Sequence, residues 1–245
     1  MSEKVLSKLG AERQDEVQLV CDTRNMPLAT VHLLRHGEVF NPHGVLYGRL
    51  PEFHLSDRGV AMAVLAAEFF QAQRKKGAKI VDLAASPLTR AQETAQPTAT
   101  ALGLEIGTDQ NLIEAGNNFE GLKVSPSELL KPVHWKQLVN PFKPSWGEPY
   151  TEQAHRMRLA IDAARDRALT LGGSGAQSIL VSHQLPILVS RLSAERRRLF
   201  HDPRRRECNL ASVTSIDFDG DRIVTVRYQE PAAALYPVSV AGLRK

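Results

Sequence analysis

Apolar residues in this 245-residue chain fall into short dense runs, separated by longer stretches in which they recur every three or four positions. The first run, 29–34, stops abruptly at Arg35 and His36, so the pattern predicts a strand that delivers a cation and an imidazole to solvent. A loop rich in Gly, Pro and His covers 37–54, after which Ser56 stands as the N-cap of a helix with Val60, Met62, Ala63, Leu65, Ala66 and Phe69 on one stripe. Residues 79–85 read as the second strand. Ser86 then supplies a capping hydroxyl and Pro87 the first position of a helix that ends at Gly103.

A third extended segment, 104–112, leads into Ile113-Glu114-Ala115-Gly116. Between 117 and 150 the period is lost among prolines 126, 132, 141, 144 and 149 with Trp135 and Trp146, which predicts an insertion forming a lid or wall over a crevice. A helix over 151–171 ends at Gly172-Gly173, 178–183 is the next strand, and Pro186 opens another helix. Residues 212–218 and 222–228 alternate in period two around Asp219-Gly220-Asp221, the mark of a hairpin that gives the sheet an antiparallel edge. Strands alternating with helices imply an α/β fold: a three-layer α/β/α sandwich around a mostly parallel sheet. Its domain spans 28–230, flanked by tails at 1–27 and 231–245.

Composition narrows the class. A 42% hydrophobic fraction supports one sizeable core, and no apolar stretch approaches the roughly 20 residues needed to span a bilayer. The polar, acid-bearing first 24 residues are unlike a signal or transit peptide, so the chain reads as cytoplasmic and apart from membranes. Cys21 and Cys208 are too few for a disulfide framework and lack metal-ligand spacing. A formal charge of +4 suits anionic small substrates and permits weak contact with nucleic acid.

Ligand crevices of open parallel sheets lie beyond the carboxyl ends of the strands. There the topology gathers Arg35 and His36, Arg90 one turn into the helix after the second strand, and His183. Two guanidiniums and two imidazoles beside helix N-termini suit a tetrahedral phosphoryl group, and an imidazole near neutral pH can attack phosphorus. Glu114, in a small-residue context, is the best-placed carboxyl to protonate a leaving alkoxide, provided its pKa is raised.

These residues form recognisable motifs. Leu34-Arg35-His36-Gly37-Glu38, the stretch from Ser86 to Ala95, Leu112-Ile113-Glu114 with Phe119-Glu120-Gly121, and Val181-Ser182-His183 occur in the order found in the histidine phosphatase superfamily. Over residues 29–228 the chain resembles the phosphoglycerate-mutase-like branch 1 of that superfamily. The resemblance implies that His36 forms a phosphohistidine, that Arg35, Arg90 and His183 hold the phosphoryl oxygens, and that Glu114 acts as acid and then as base. It also points to Asn41 as a phosphate contact, to Gln184 where many members have glycine, and to Arg49 as a substrate contact in the loop bordering the pocket.

Cofactor-dependent mutases follow the acid glutamate with arginine, histidine, tyrosine and glycine, whereas here Ala115-Gly116-Asn117-Asn118 follow. The expectation is therefore hydrolysis of a small phosphorylated metabolite by a histidine acid phosphatase-type enzyme, without cofactor or metal. Mutase-type transfer is the alternative. Two arginines beside a metal would be repulsive, and no short-spaced ligand pair exists. A second alternative is a non-catalytic binder of phosphate ligands or nucleic acid, the latter through Arg191, Arg196, Arg197, Arg198, Arg204, Arg205 and Arg206. Acids interrupt that cluster and only Phe200 accompanies it, so the expected partners exclude nucleic acid. Arg90 has a bland reading as an i,i+3 partner of Glu93. His32, His134, His155 and His201 read as structural or surface groups, and His43 and His54 as rim residues. Oligomeric state, monomer or homodimer, is not encoded in any of these patterns.

Overall fold

A computed structural model describes residues 28–123, 147–202 and 205–236. The strands are β1 (Leu28–Arg35), β2 (Lys79–Ala85), β3 (Gly107–Thr108), β4 (Ala176–Ser182), β5 (Val213–Asp219) and β6 (Arg222–Gln229), and the helices are α1 (Asp57–Lys75), α2 (Thr89–Leu102), α3 (Tyr150–Gly172) and α4 (Gln184–Ala194). They form one six-stranded sheet in the order β3-β2-β4-β1-β5-β6. β3, β2, β4 and β1 are parallel, and the β5–β6 hairpin completes a mixed sheet because β5 runs antiparallel to β1.

Alternation along the strands decides which helices cover which face. Val31, Leu33 and Leu180 pack with Met157, Ala160 and Ala164 of α3 and Ile187 and Leu188 of α4. Leu34, Ile179 and Val181 point the other way, against Ala66 and Phe70 of α1 and Ala91, Ala95 and Ala99 of α2. The three layers place the carboxyl ends of β1, β2 and β4 at one rim. Among the described residues no helix is long and apolar enough to cross a membrane.

Several local expectations shift. In α1, Ser56 caps as expected, accepting from Gly59 N, but the buried face is Gly59, Met62, Ala63, Ala66, Ala67 and Phe70. Val60 is exposed, because a 3.6-residue period set by Met62 and Phe70 carries it off that face. The expected start of α2 at Ser86-Pro87 is displaced: the helix begins at Thr89 behind Leu88, which makes no side-chain cap. Ser86 Oγ lies 2.8 Å from His183 Nε2, a long-range bond that takes the hydroxyl out of capping. Of the extended segment 104–112 only Gly107 and Thr108 pair with β2, since Asp109 accepts from Asn111 N and turns the chain into a 3-10 helix, Gln110–Leu112. Helix α4 starts two residues before Pro186, whose missing N–H is harmless in a first turn. After Pro231 the chain packs back, with Ala232 buried and Tyr236 Oη donating to Leu210 O at 2.9 Å. Most of the expected insertion, 124–146 with both tryptophans, and residues 1–27 lie outside the described residues.

The loop from β1 to α1 is closed on itself. Phe40 N donates to His54 O at 2.9 Å and Ser56 N to Glu38 O at 3.0 Å, while Glu38 accepts from Ser56 and Arg58. At its neck the backbones touch: a Cβ on Gly37 would lie 2.5 Å from Gly59 O, and one on Gly59 would lie 2.0 Å from Glu38 O.

Candidate active site

A cavity of about 210 Å³ opens at the carboxyl rim, lined by Arg35, His36, Tyr47, Glu114, Gln184 and Arg206 among others. His36 follows the last residue of β1 and is fully buried at its side chain, with Nδ1 2.7 Å from Gly37 O. A carbonyl only accepts, so Nδ1 carries the proton and Nε2 keeps its lone pair. Burial first, then the neighbouring Arg35 and Arg90 guanidiniums, hold its pKa well below the ordinary histidine value, so the ring is neutral.

His183, at the N-cap of α4, stands against it with ring centroids 5.2 Å apart. Its pKa is also pushed well down, by burial and then by His36, Arg90 and Arg35. Ser86 Oγ accepts from Leu88 N at 3.4 Å and pairs with His183 Nε2 at 2.8 Å, leaving the other ring nitrogen, Nδ1, outside that bond. That buried Nδ1 has no partner among the described residues, and the same holds for Arg35 Nε and Arg90 Nε. Arg35 lines the cavity, His183 stands against His36 and Arg90 lies on the Tyr47 ring, so unsatisfied nitrogens gather behind one wall, which suits an oxygen-rich anion.

Arg90 is 0% exposed, with its guanidinium donating to the carbonyls of Gly48 and Leu50 and lying 4.8 Å from the Tyr47 ring centroid. It does not pair with Glu93, whose carboxylate instead accepts from His54 Nδ1 and, at 2.8 Å, from Leu55 N. Arg35 Nη1 donates to Cys208 O at 2.6 Å. The N-terminal turn of α4 adds Gln184 and Leu185 to the lining, with the partial positive charge of a helix start.

Glu114 is half-buried, and the desolvation of its carboxyl raises its pKa against the opposing effects of the Ala115 N–H, Arg90, Arg35 and Arg156. Arg49 Nε donates to Glu114 O at 2.7 Å, and its Nη2 reaches Glu148 Oε2 at 2.9 Å. Arg156 grips the other side of Glu148 and donates to Asn111 O at 2.6 Å. Arg49 therefore holds the backbone that carries Glu114. Asn41 is engaged at both ends of its amide by Val45 N and O and is not among the residues lining the cavity.

Tyr47, Asn117 and Arg206 line the cavity without having been singled out as site residues from the sequence. Tyr47 sits beside a glycine and an arginine in a loop, a weak signal. Arg206 was masked by its neighbours in the arginine cluster. Two members of that cluster are ion-paired, Arg191 with Glu195 and Glu207 and Arg197 with Glu195. His32 is structural, bonded to Ser215 and Gln177. His43 and His155 are exposed, His134 lies outside the described residues, and no cluster of His, Cys, Asp and Glu among the described residues could hold a metal.

Such a fold, with a histidine at the end of the first strand between two arginines and a second histidine, defines a phosphoryl-handling α/β protein. Residues 31–231 match the family profile of the histidine phosphatase superfamily (branch 1), and the chain belongs to that superfamily. It is 53% identical over 211 residues to an uncharacterised protein of Mycobacterium tuberculosis, covering 85% of this chain and all of that one. A probable phosphoglycerate mutase of Yersinia enterocolitica is 34% identical over 197 residues, 75% of this chain and 83% of the relative. A solved mycobacterial glucosyl-3-phosphoglycerate phosphatase is similar with a TM-score of 0.65 at 21% identity, covering 83% of this chain and 98% of that one. A phosphoglycerate mutase from Bacillus anthracis gives 0.63 at 21% identity, over 86% and 96% of the two chains. Phosphatase and mutase share this fold, so the fold does not divide them.

Proposed function

We propose that this protein hydrolyses small phosphomonoesters through a phosphohistidine at His36. The observation that carries the reading is the bond from His36 Nδ1 to Gly37 O at 2.7 Å, which leaves a neutral Nε2 as nucleophile beside Arg35 in the cavity. Nε2 forms a bond to phosphorus as the bond to the ester oxygen breaks, and Glu114 gives its proton to the departing alkoxide. The resulting carboxylate takes a proton from water, whose oxygen attacks the phosphohistidine and releases phosphate and neutral His36. Arg35, Arg90, His183 and the start of α4 hold the equatorial oxygens on which charge develops.

Hydrolysis is favoured over mutase transfer because Ala115 and Asn117 line the cavity after Glu114, where mutases carry cations. An acid phosphatase-type enzyme fits a glutamate that must be protonated to act. A reducing, cytoplasmic setting accords with the free thiol of Cys208. The test is turnover of an aryl phosphate without added metal: His36→Ala is expected to abolish both turnover and the acid-labile, base-stable phosphate trapped on the wild-type protein. Undiminished turnover in the variant overturns the reading. Isomerisation of a phosphoglycerate faster than phosphate release overturns the choice of hydrolysis.

A further inference from the structure

Resting on the phosphatase reading, we infer that Arg206, held by His201, recognises a second anionic group on the substrate, so that the substrate is a phosphomonoester carrying a carboxylate or a further phosphate. Arg206 lines the same cavity as His36 and Arg35 but comes from the irregular segment before β5. Its Nε donates to His201 Nε2 at 3.0 Å. That bond requires an unprotonated Nε2, which fits a ring whose Nδ1 donates to Leu199 O at 2.8 Å. Tyr150 flanks the imidazole with ring centroids 5.4 Å apart. With Nε committed, the guanidinium offers its two terminal nitrogens as a fork suited to a carboxylate or phosphate.

Charge balance supplies the rest of the argument. A phosphoryl dianion offsets Arg35 and Arg90, and Glu114 is protonated when it serves as acid. Burial removes the Arg206 guanidinium from part of its water, and the carboxyl whose charge reaches it is Glu114, which is neutral when it serves as acid. A partly desolvated cation whose counter-charge is lost when Glu114 is protonated is costly, and a second negative group on the substrate removes that cost. Gln184 stands on the same wall, its Nε2 donating to Cys208 O at 3.3 Å.

The experiment compares 3-phosphoglycerate with glycerol 3-phosphate, which differ by a carboxylate in place of a hydroxymethyl group, and adds glycerol 1,3-bisphosphate as the phosphate-bearing arm. Wild type is expected to prefer one of the two charged compounds in kcat/KM, and the preferred one identifies the group. In Arg206→Gln that preference is expected to fall by about tenfold or more, mainly through KM. His201→Leu is expected to lower it similarly, whereas His201→Gln, whose amide oxygen still accepts from Nε, retains it. An unchanged preference in Arg206→Gln, or equal losses on charged and uncharged compounds, overturns the inference while leaving the phosphatase reading intact. Wild type hydrolysing none of the three, nor an aryl phosphate, overturns both.

Discussion

Thr94 Oγ1 accepts the backbone N–H of Gly37 at 3.0 Å, which ties the loop after β1 to the helix that carries Arg90. The same hydroxyl donates to Arg90 O at 2.6 Å. Thr94→Val keeps the shape but leaves the Gly37 N–H buried without a partner, at a cost of about 1–3 kcal/mol. We expect a matching loss in denaturant unfolding and a drop in kcat of about tenfold, because the nucleophile loses its fixed position. Thr94→Ser, which restores the hydroxyl, is expected to recover both.

Glu114 and His36 set opposite limits on pH. Burial lifts the Glu114 pKa above the ordinary carboxylate range, and burial with Arg35 and Arg90 holds His36 well below the ordinary histidine value. The active form has a neutral His36 and a protonated Glu114. Turnover of an alkyl phosphate is therefore expected to fall as pH rises through the raised Glu114 pKa and to persist on the acid side below the ordinary histidine range. Glu114→Gln is expected to lower kcat by about 10²–10⁴ on an alkyl phosphate and by less on an aryl phosphate, whose leaving group needs little protonation. Equal losses on both would refute the assignment of Glu114 as acid.

Arg49 acts on the site through the Glu114 carbonyl. Arg49→Met retains the aliphatic stem and removes the bonds to Glu114 O and Glu148. The expected result is a kcat about tenfold lower with KM nearly unchanged, the signature of a displaced acid. A change confined to KM would show a direct substrate contact instead.

His32 predicts how stability follows pH. Burial, reinforced by Arg227 and opposed by the Gln177 bond, lowers its pKa to about 4. Between that value and the unfolded value near 6.5 the unfolded chain binds more protons, so stability rises with pH through this window and is fully present above it. The histidine contributes about 3 kcal/mol across the window, and His36 and His183 act in the same direction. Urea unfolding between pH 4.5 and 7.5 is expected to show the rise, with a shallower slope in His32→Asn. A flat wild-type profile would exclude it.

The parts legible in the sequence are those written by local physics. The end of β1 shows because an apolar run stops at Arg35, and the β5–β6 hairpin shows because period two brackets Asp219-Gly220-Asp221. The motif residues read as one phosphate site because strand ends in a parallel sheet share a rim. What stayed hidden depends on partners far along the chain. Ser86 looks like a cap until its hydroxyl meets His183, 97 residues later. Arg49 reads as a substrate contact, and its bonds to Glu148, 99 residues away, and to the Glu114 backbone are not visible in the sequence. Arg206 is one arginine among several in a segment without period, and only its packing on His201 singles it out.

The contact between Gly37 and Gly59 has a consequence for how this enzyme can diversify. Because the loop between them is pinched shut at its base, changes of length near its tip are not passed along the backbone of the neck to His36. The tip nevertheless carries Tyr47 and Gly48 to the cavity wall. Substrate preference and the nucleophile are thus joined at the tip, where the Tyr47 ring stands edge-on to His36 with centroids 6.3 Å apart and Gly48 and Leu50 accept from Arg90: a tip rewritten for new substrates must keep those contacts, while the two glycines, each blocked by the other side of the neck, stay fixed.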